Sequence, residues 1–272
     1  MILCGPPRLK RRLDAFSGKA LASSSGCLVC DVSEVPPKKG VQLDIKELQA
    51  LQELGRATVQ AAQQMERSGL VEGTAGNVSC LDDSGRYALI TPTGVPYGEL
   101  DVTHLPVVDL DGNLLAGKYL PSSELQMHLA VYRSRPDVRS VVHTHSRFAT
   151  TFAVLNRPIR AVHYVLAFAG PSVEVAGYHT YGTAELGQSC VGALGEHNAV
   201  LLQNHGVIAV GTTPEAALNV AQVVEYTAEL QWRAESIGTP GILDDEEMER
   251  VREKFHNYGQ PHKLTGGPQE PS

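Results

Sequence analysis

Apolar residues recur along the chain with a helical period in some stretches and as short alternating or continuous runs in others. Leu48, Leu51, Val59, Ala62 and Met65 share helical spacing between Asp44, a good N-cap, and Gly69, which predicts a helix over 44–68. The small-residue loop Glu72-Gly73-Thr74-Ala75-Gly76 then feeds a hairpin, with Ser84-Gly85 as its turn and Tyr87-Ala88-Leu89-Ile90 as its return strand. Leu105 to Leu110, followed by Asp111-Gly112-Asn113, reads as a further strand and turn. Lys118 to Ser123 forms a loop that opens a helix running to Ser134, and another helix is expected from Ser146 to Leu155. Val141-Val142, Ala199 to Gln203 and Val207 to Val210 read as buried strands, and Val173 to Ala176 alternates like one. A helix is predicted from Thr183 to His197. Thr213 caps the longest helix, with Pro214 at its first position, ending near Gly238, and Asp244 to Asn257 is a final amphipathic helix. No internal repeat is visible. Strands and helices mixed with hairpin-type turns predict an α/β fold: a layered α/β/α domain with a central, largely antiparallel sheet flanked by helices.

Composition narrows this further. At 272 residues, with 42% hydrophobic and 19% charged residues, the chain suits one domain with tails, or at most two small domains. Residues 1–40, rich in Pro, Ser, Gly and basic side chains, read as a poorly ordered extension rather than an organelle transit peptide. The domain is expected over 41–259, and 260–272 as a flexible tail. A net charge of −7 argues against a general nucleic-acid binder but not against an anionic small molecule, because local dipoles and metals outweigh the global sign. Cys4, Cys27, Cys30, Cys80 and Cys190 are few and scattered, which points to a reducing compartment, the cytoplasm, without a disulfide framework. No apolar run approaches the ~20 residues of a membrane helix, so no membrane partner is expected.

The chemistry concentrates in Val141-Val142-His143-Thr144-His145. Strand side chains alternate faces, so His143 and His145 point the same way, about 6.6 Å apart along the strand, where both imidazoles can grip one ion. The alternative is an ordinary half-buried pair. His205, in a Gln-Asn-His-Gly turn directly after a buried strand, is the best candidate for a third ligand, since Gly206 permits close backbone approach. Glu124 and His128 lie at i and i+4 on one helix face.

The ordered set Gly73-Thr74-Ala75-Gly76-Asn77-Val78-Ser79, Thr91-Pro92-Thr93-Gly94, Pro121-Ser122-Ser123-Glu124, His143-Thr144-His145, His163-Tyr164, Thr180-Tyr181-Gly182-Thr183, Asn204-His205-Gly206 and Lys254-Phe255-His256-Asn257-Tyr258-Gly259 resembles one family. It is that of the class II sugar-phosphate aldolases of the fuculose-phosphate aldolase type, with ribulose-phosphate 4-epimerases and the adducin head domain as relatives. The resemblance covers roughly Leu43 to Gly259. It implies Zn2+ held by His143, His145 and His205. Glu124 is implied as general acid/base, able to approach the resting metal as well. Substrate phosphate is then bound by Gly76, Asn77, Thr93, Gly94, Ser122 and Ser123. Tyr164 and Tyr258 are implied as catalytic tyrosines reaching the aldehyde end from a neighbouring subunit of a homotetramer. Tyr181 also lies at that end, where fuculose-phosphate aldolase carries phenylalanine. The implied reaction cleaves a ketose 1-phosphate, first of all L-fuculose 1-phosphate, to dihydroxyacetone phosphate and L-lactaldehyde by retro-aldol chemistry through an enediolate. Within the family the alternatives are a pentulose-phosphate epimerase, a methylthioribulose-phosphate dehydratase or a deoxyribulose-phosphate aldolase; the epimerase uses aspartate where Glu124 stands. Outside enzymes, the alternative is an adducin-like binding domain. His128, His163 and His179 are read as structural, and His104, His197, His256 and His262 as solvent or loop residues.

Overall fold

The computed structural model describes residues 45–256; the predicted extension over 1–40, the tail over 260–272, Asp44 and Tyr258 lie outside these. Helix α1 (Ile45–Arg67) closes at Gly69, which takes the left-handed conformation expected of a C-terminal glycine. Strands β1 (Asn77–Leu81) and β2 (Tyr87–Ile90) form the predicted hairpin, with Ser79 opposite Ile90. Strands β3 (Val107–Asp109) and β4 (Leu114–Ala116) extend it; β4 is a further strand, not expected from the sequence, beyond the predicted Asp111-Gly112-Asn113 turn. Next come α2 (Leu125–Ser134), β5 (Ser140–Thr144) and α3 (Arg147–Val154).

Beyond α3 the chain departs from expectation. Val173 to Ala176 is not one strand. Strands β6 (Ile159–Arg160) and β7 (Ser172–Val173) pair in a separate two-stranded sheet, and β8 (Val175–Ala176) leaves it to join the main sheet. Helix α4 (Ala184–Leu194) starts from Thr183, whose hydroxyl accepts from the Leu186 amide. It ends three residues before His197, because Gly195 turns the chain at positive φ. Strands β9 (Ala199–Leu202) and β10 (Gly206–Gly211) precede α5 (Pro214–Ile237), capped by Thr213 through the Ala216 amide, and α6 (Asp245–His256).

The main sheet runs β4-β3-β2-β1-β5-β10-β9-β8, antiparallel except for the parallel β8–β9 pair. Both faces are covered. Val142, Val207 and Ala209 pack with residues of α1, α3 and α5 on one side, while Val141, Ile208 and Val210 pack with α2 and α4 on the other. This double burial explains why β5, β9 and β10 read as continuous apolar runs rather than alternating ones. It also places His143, two residues after Val141, on the α2 side of a central strand.

Candidate metal centre and active-site cleft

Three adjacent strands and one helix start converge. Asn77 on β1 is directly opposite His143 on β5, and His143 is opposite Ile208 on β10. His145 lies just beyond β5, where its amide donates to the Leu70 carbonyl at 3.1 Å. His205 sits in the β9–β10 turn, made possible by Asn204 at φ 55°, a conformation that asparagine tolerates better than most residues. The following Gly206 is needed for contact rather than conformation: a Cβ there would stand 2.3 Å from the Thr144 carbonyl oxygen and 2.9 Å from the His145 ring.

The imidazoles meet at their Nε2 atoms, 3.0 Å apart for His143 and His145 and 3.2 Å for His143 and His205. Glu124 brings Oε2 to 3.2 Å from His143 Nε2 and Oε1 to 3.1 Å from His205 Nε2. One ligand atom from each of the four residues falls within 4.8 Å of the others. Tetrahedral zinc with bonds of about 2.0–2.1 Å to nitrogen has ligand atoms roughly 3.3 Å apart, so the spacing suits a single ion. The Glu124 Oε1 atom is buried and lacks a hydrogen bond, a donorless acceptor that a cation would satisfy. His143 Nδ1 lies 2.9 Å from the Val207 carbonyl; as donor there, it leaves Nε2 free as a ligand.

Although Glu124 stands at the start of α2, its side chain makes no capping hydrogen bond. Ser122 Oγ accepts from the Glu124 amide instead, at 3.2 Å, and the carboxylate turns to the histidines. Burial pushes the carboxyl pKa up, but the imidazoles of His143 and His205 beside it outweigh this and hold it well below the usual range. Burial likewise disfavours charge on His143, yet the Glu124 carboxylate holds its pKa above normal. His145, through burial and then its imidazole neighbours, is pushed down to about 4.

The cluster forms one wall of a cleft of about 340 Å³. Gly76, Asn77, Thr93, Ser122 and Ser123 line it together with Glu124, His145, His205 and Tyr181. Gly94, at φ +71°, adjoins Thr93 but does not itself line the cleft. Gly76 is held close: its Cβ would meet the His143 carbonyl at 2.5 Å, and the buried Tyr97 hydroxyl donates to the Gly76 carbonyl at 2.7 Å. Among the described residues lining the cleft there is no Lys or Arg.

A match to the model of the "Class II Aldolase and Adducin N-terminal domain" covers residues 56–232. The chain belongs to the class II aldolase family. The 5-deoxy-D-ribulose 1-phosphate aldolase of Bacillus thuringiensis serovar kurstaki is 40% identical over 77% of this chain and 99% of its own length. The L-fuculose phosphate aldolase of Escherichia coli K12 is 45% identical over 76% and 95% respectively. A solved L-fuculose 1-phosphate aldolase superposes with a TM-score of 0.73 at 38% identity, over 75% of this chain and 96% of that one. This aldolase is therefore an enzyme, an aldehyde-lyase with a metal-binding group of one glutamate and three histidines.

Tyr164 is not in the cleft of this aldolase. It is 52% exposed, stacks on His163 and lies 6.2 Å from the Phe255 ring. Sequence reasoning passed over Tyr178 and read His179 as structural; both line the cleft beside Tyr181, and His179 is exposed there. It also left out Tyr97. That residue has a legible signal only in hindsight of its partner loop, since a buried tyrosine hydroxyl needs an acceptor.

Proposed function

We propose that this aldolase binds zinc through His143, His145 and His205, with Glu124 alongside, and cleaves a ketose 1-phosphate to dihydroxyacetone phosphate and a short aldehyde. L-Fuculose 1-phosphate is the first candidate, with L-lactaldehyde as its aldehyde product. The observation that carries the reading is the meeting of three Nε2 atoms and one buried carboxylate at the wall of a cleft built from short polar loops. When bound, zinc supplies a Lewis-acid charge beside the ketone oxygen. The C3–C4 bond breaks, the ionised Glu124 takes up the C4 hydroxyl proton as C4 becomes the aldehyde carbonyl, and Glu124 returns that proton to C3. Hydroxyl and amide groups of Asn77, Thr93, Ser122 and Ser123, with the backbone of Gly76 and of Gly94 next to Thr93, take the phosphate near the start of α2, where the helix dipole favours an anion. That design fits a cleft whose described lining holds neither Lys nor Arg.

Tyr181 faces the aldehyde end, and Tyr164 and Tyr258 complete it from a neighbouring subunit. The exposed Tyr164, Tyr226 and Trp232 support a subunit contact of this kind, and we assign a cytoplasmic homotetramer. A second reading, 5-deoxyribulose 1-phosphate with acetaldehyde as product, is favoured by the 40% identical relative that bears that substrate in its name. A panel of ketose 1-phosphates, with and without chelator, tests both. Dihydroxyacetone phosphate should form from at least one sugar only while metal is present, and the accompanying aldehyde names the substrate. Undiminished turnover after complete chelation would defeat the metal assignment.

A further inference from the structure

Behind Glu124 a chain of buried polar side chains runs between β1 and α2. Asn77 donates through Nδ2 to Glu124 Oε2 at 2.9 Å and to Ser122 Oγ at 3.0 Å. The Asn77 Oδ1 atom meets His128 Nε2, His128 Nδ1 meets Ser79 Oγ at 2.7 Å, and Ser79 Oγ meets the Tyr132 hydroxyl at 2.5 Å. Asn77, Ser79, His128 and Tyr132 are each at most 4% exposed.

The ladder follows from matching periods. Glu124, His128 and Tyr132 are successive i, i+4 positions, one helical turn or about 6 Å apart, while Asn77 and Ser79 are alternate strand positions about 6.6 Å apart. One face of the helix therefore meets one face of the strand rung by rung.

The direction of every hydrogen bond follows from the carboxylate end. Ionised Glu124 only accepts, so the nitrogen of the Asn77 amide must face it and the oxygen must face His128. His128 Nε2 then carries the proton. Burial pushes this imidazole down to about 3, so it stays neutral and Nδ1 is an acceptor. Ser79 must donate to it, and Tyr132 must donate to Ser79.

We propose that His128, held by Ser79 and Tyr132, is a positioning residue that fixes the Asn77 amide with its nitrogen toward Glu124 and the phosphate end of the cleft. This rests on the aldolase reading above. Removing the His128 N–H leaves the amide free to flip and set its oxygen against the Glu124 carboxylate.

The test is a double-mutant cycle on proton exchange at the hydroxymethyl carbon of dihydroxyacetone phosphate, with zinc content measured for each protein. His128→Leu should slow exchange by ~10- to 100-fold, the scale set by misplacing a catalytic group by about an ångström, with zinc retained. On an Asn77→Ala background the same change should cost less than about 2-fold, because there is no amide left to orient. His128→Gln, which can return an N–H to the Asn77 oxygen, should recover part of the loss. Wild-type exchange in His128→Leu, or an equal loss with and without Asn77, would overturn the proposal. If His128→Leu does not fold, Ser79→Ala and Tyr132→Phe probe the far rungs, and their losses must also vanish without Asn77. Absence of exchange in zinc-loaded wild type would refute the aldolase reading itself, and this role with it.

Discussion

Gly206→Ala probes the centre without replacing any of its four residues. Gly206 opens β10 beside the His205 turn, and an added Cβ would lie 2.3 Å from the Thr144 oxygen, 2.9 Å from His145 Cδ2 and 3.2 Å from His143 Cε1. Contacts at ordinary van der Waals separation are ~3.5 Å or more, so the Thr144 carbonyl must retreat by about 1 Å and the His145 ring by about 0.5 Å. Metal–ligand distances tolerate only about 0.2 Å. Strand β5 lies between β1 and β10 and is buried throughout, so neither shift is cheap. We expect zinc affinity to fall by ~10- to 100-fold, as when the support of a ligand is lost, and stability by about 1–3 kcal/mol from overpacking. Competition with a chromophoric chelator measures the first and thermal melting the second. Gly69→Ala is the control: φ is +69° with nothing within 4 Å, so it should cost about 1 kcal/mol of backbone strain and leave zinc binding unchanged. Wild-type zinc affinity in Gly206→Ala would refute the convergence of His143, His145 and His205 on one ion.

Three further outcomes are expected. Glu124→Gln should keep zinc and dihydroxyacetone phosphate affinity but lose proton exchange at the hydroxymethyl carbon; normal exchange would remove Glu124 from the mechanism. Burial lowers the His128 pKa from 6.5 to about 3, so the unfolded chain takes up a proton at mildly acid pH that the folded chain refuses. The stability this group protects is complete above pH 6.5 and is lost as pH falls toward 3, at up to about 1.4 kcal/mol per pH unit. Denaturant titrations from pH 7 to 4 should show this acid slope, and His128→Gln should flatten it; parallel slopes would exclude His128 as its source. Burial pushes the Cys80 thiol up to about 11 and the Cys190 thiol to about 12. Both should escape maleimide at pH 8 in the native protein and react once it is denatured, as peptide mapping would report; native labelling at either would contradict their burial.

The parts of the site visible from sequence are those encoded by local periodicity. Alternation along β5 and into the residue just past its end puts His143 and His145 on one side whatever the sheet around them, and the Asn-His-Gly turn marks a place where a side chain can reach inward. What stayed hidden depends on partners far away in the chain. Val173 to Ala176 alternates like a strand, yet Val173 pairs with Ile159 and Val175 with Leu201, so Glu174 between them carries the chain from one sheet to another. Leu114 to Ala116 is three half-buried residues at the sheet edge, too short for any pattern to separate from a turn. His179 looks like any polar loop residue until the cleft is formed around it.

His128 shows where the boundary falls. Its i+4 relation to Glu124 is readable from the chain, but burial and function are not, because they depend on β1 lying directly across from α2. Only the strand order β1-β5-β10 brings Asn77 opposite His143 and the His205 turn beside both. His143, His145, His205 and Asn77 therefore sit on or just beyond the ends of three neighbouring strands, with Glu124 and His128 at the start of and within the helix that covers them. A change that slips β5 by one residue against β1 would turn His143 and His145 to the opposite face of the sheet, away from Glu124. It would abolish the metal site even though every ligand residue was still present.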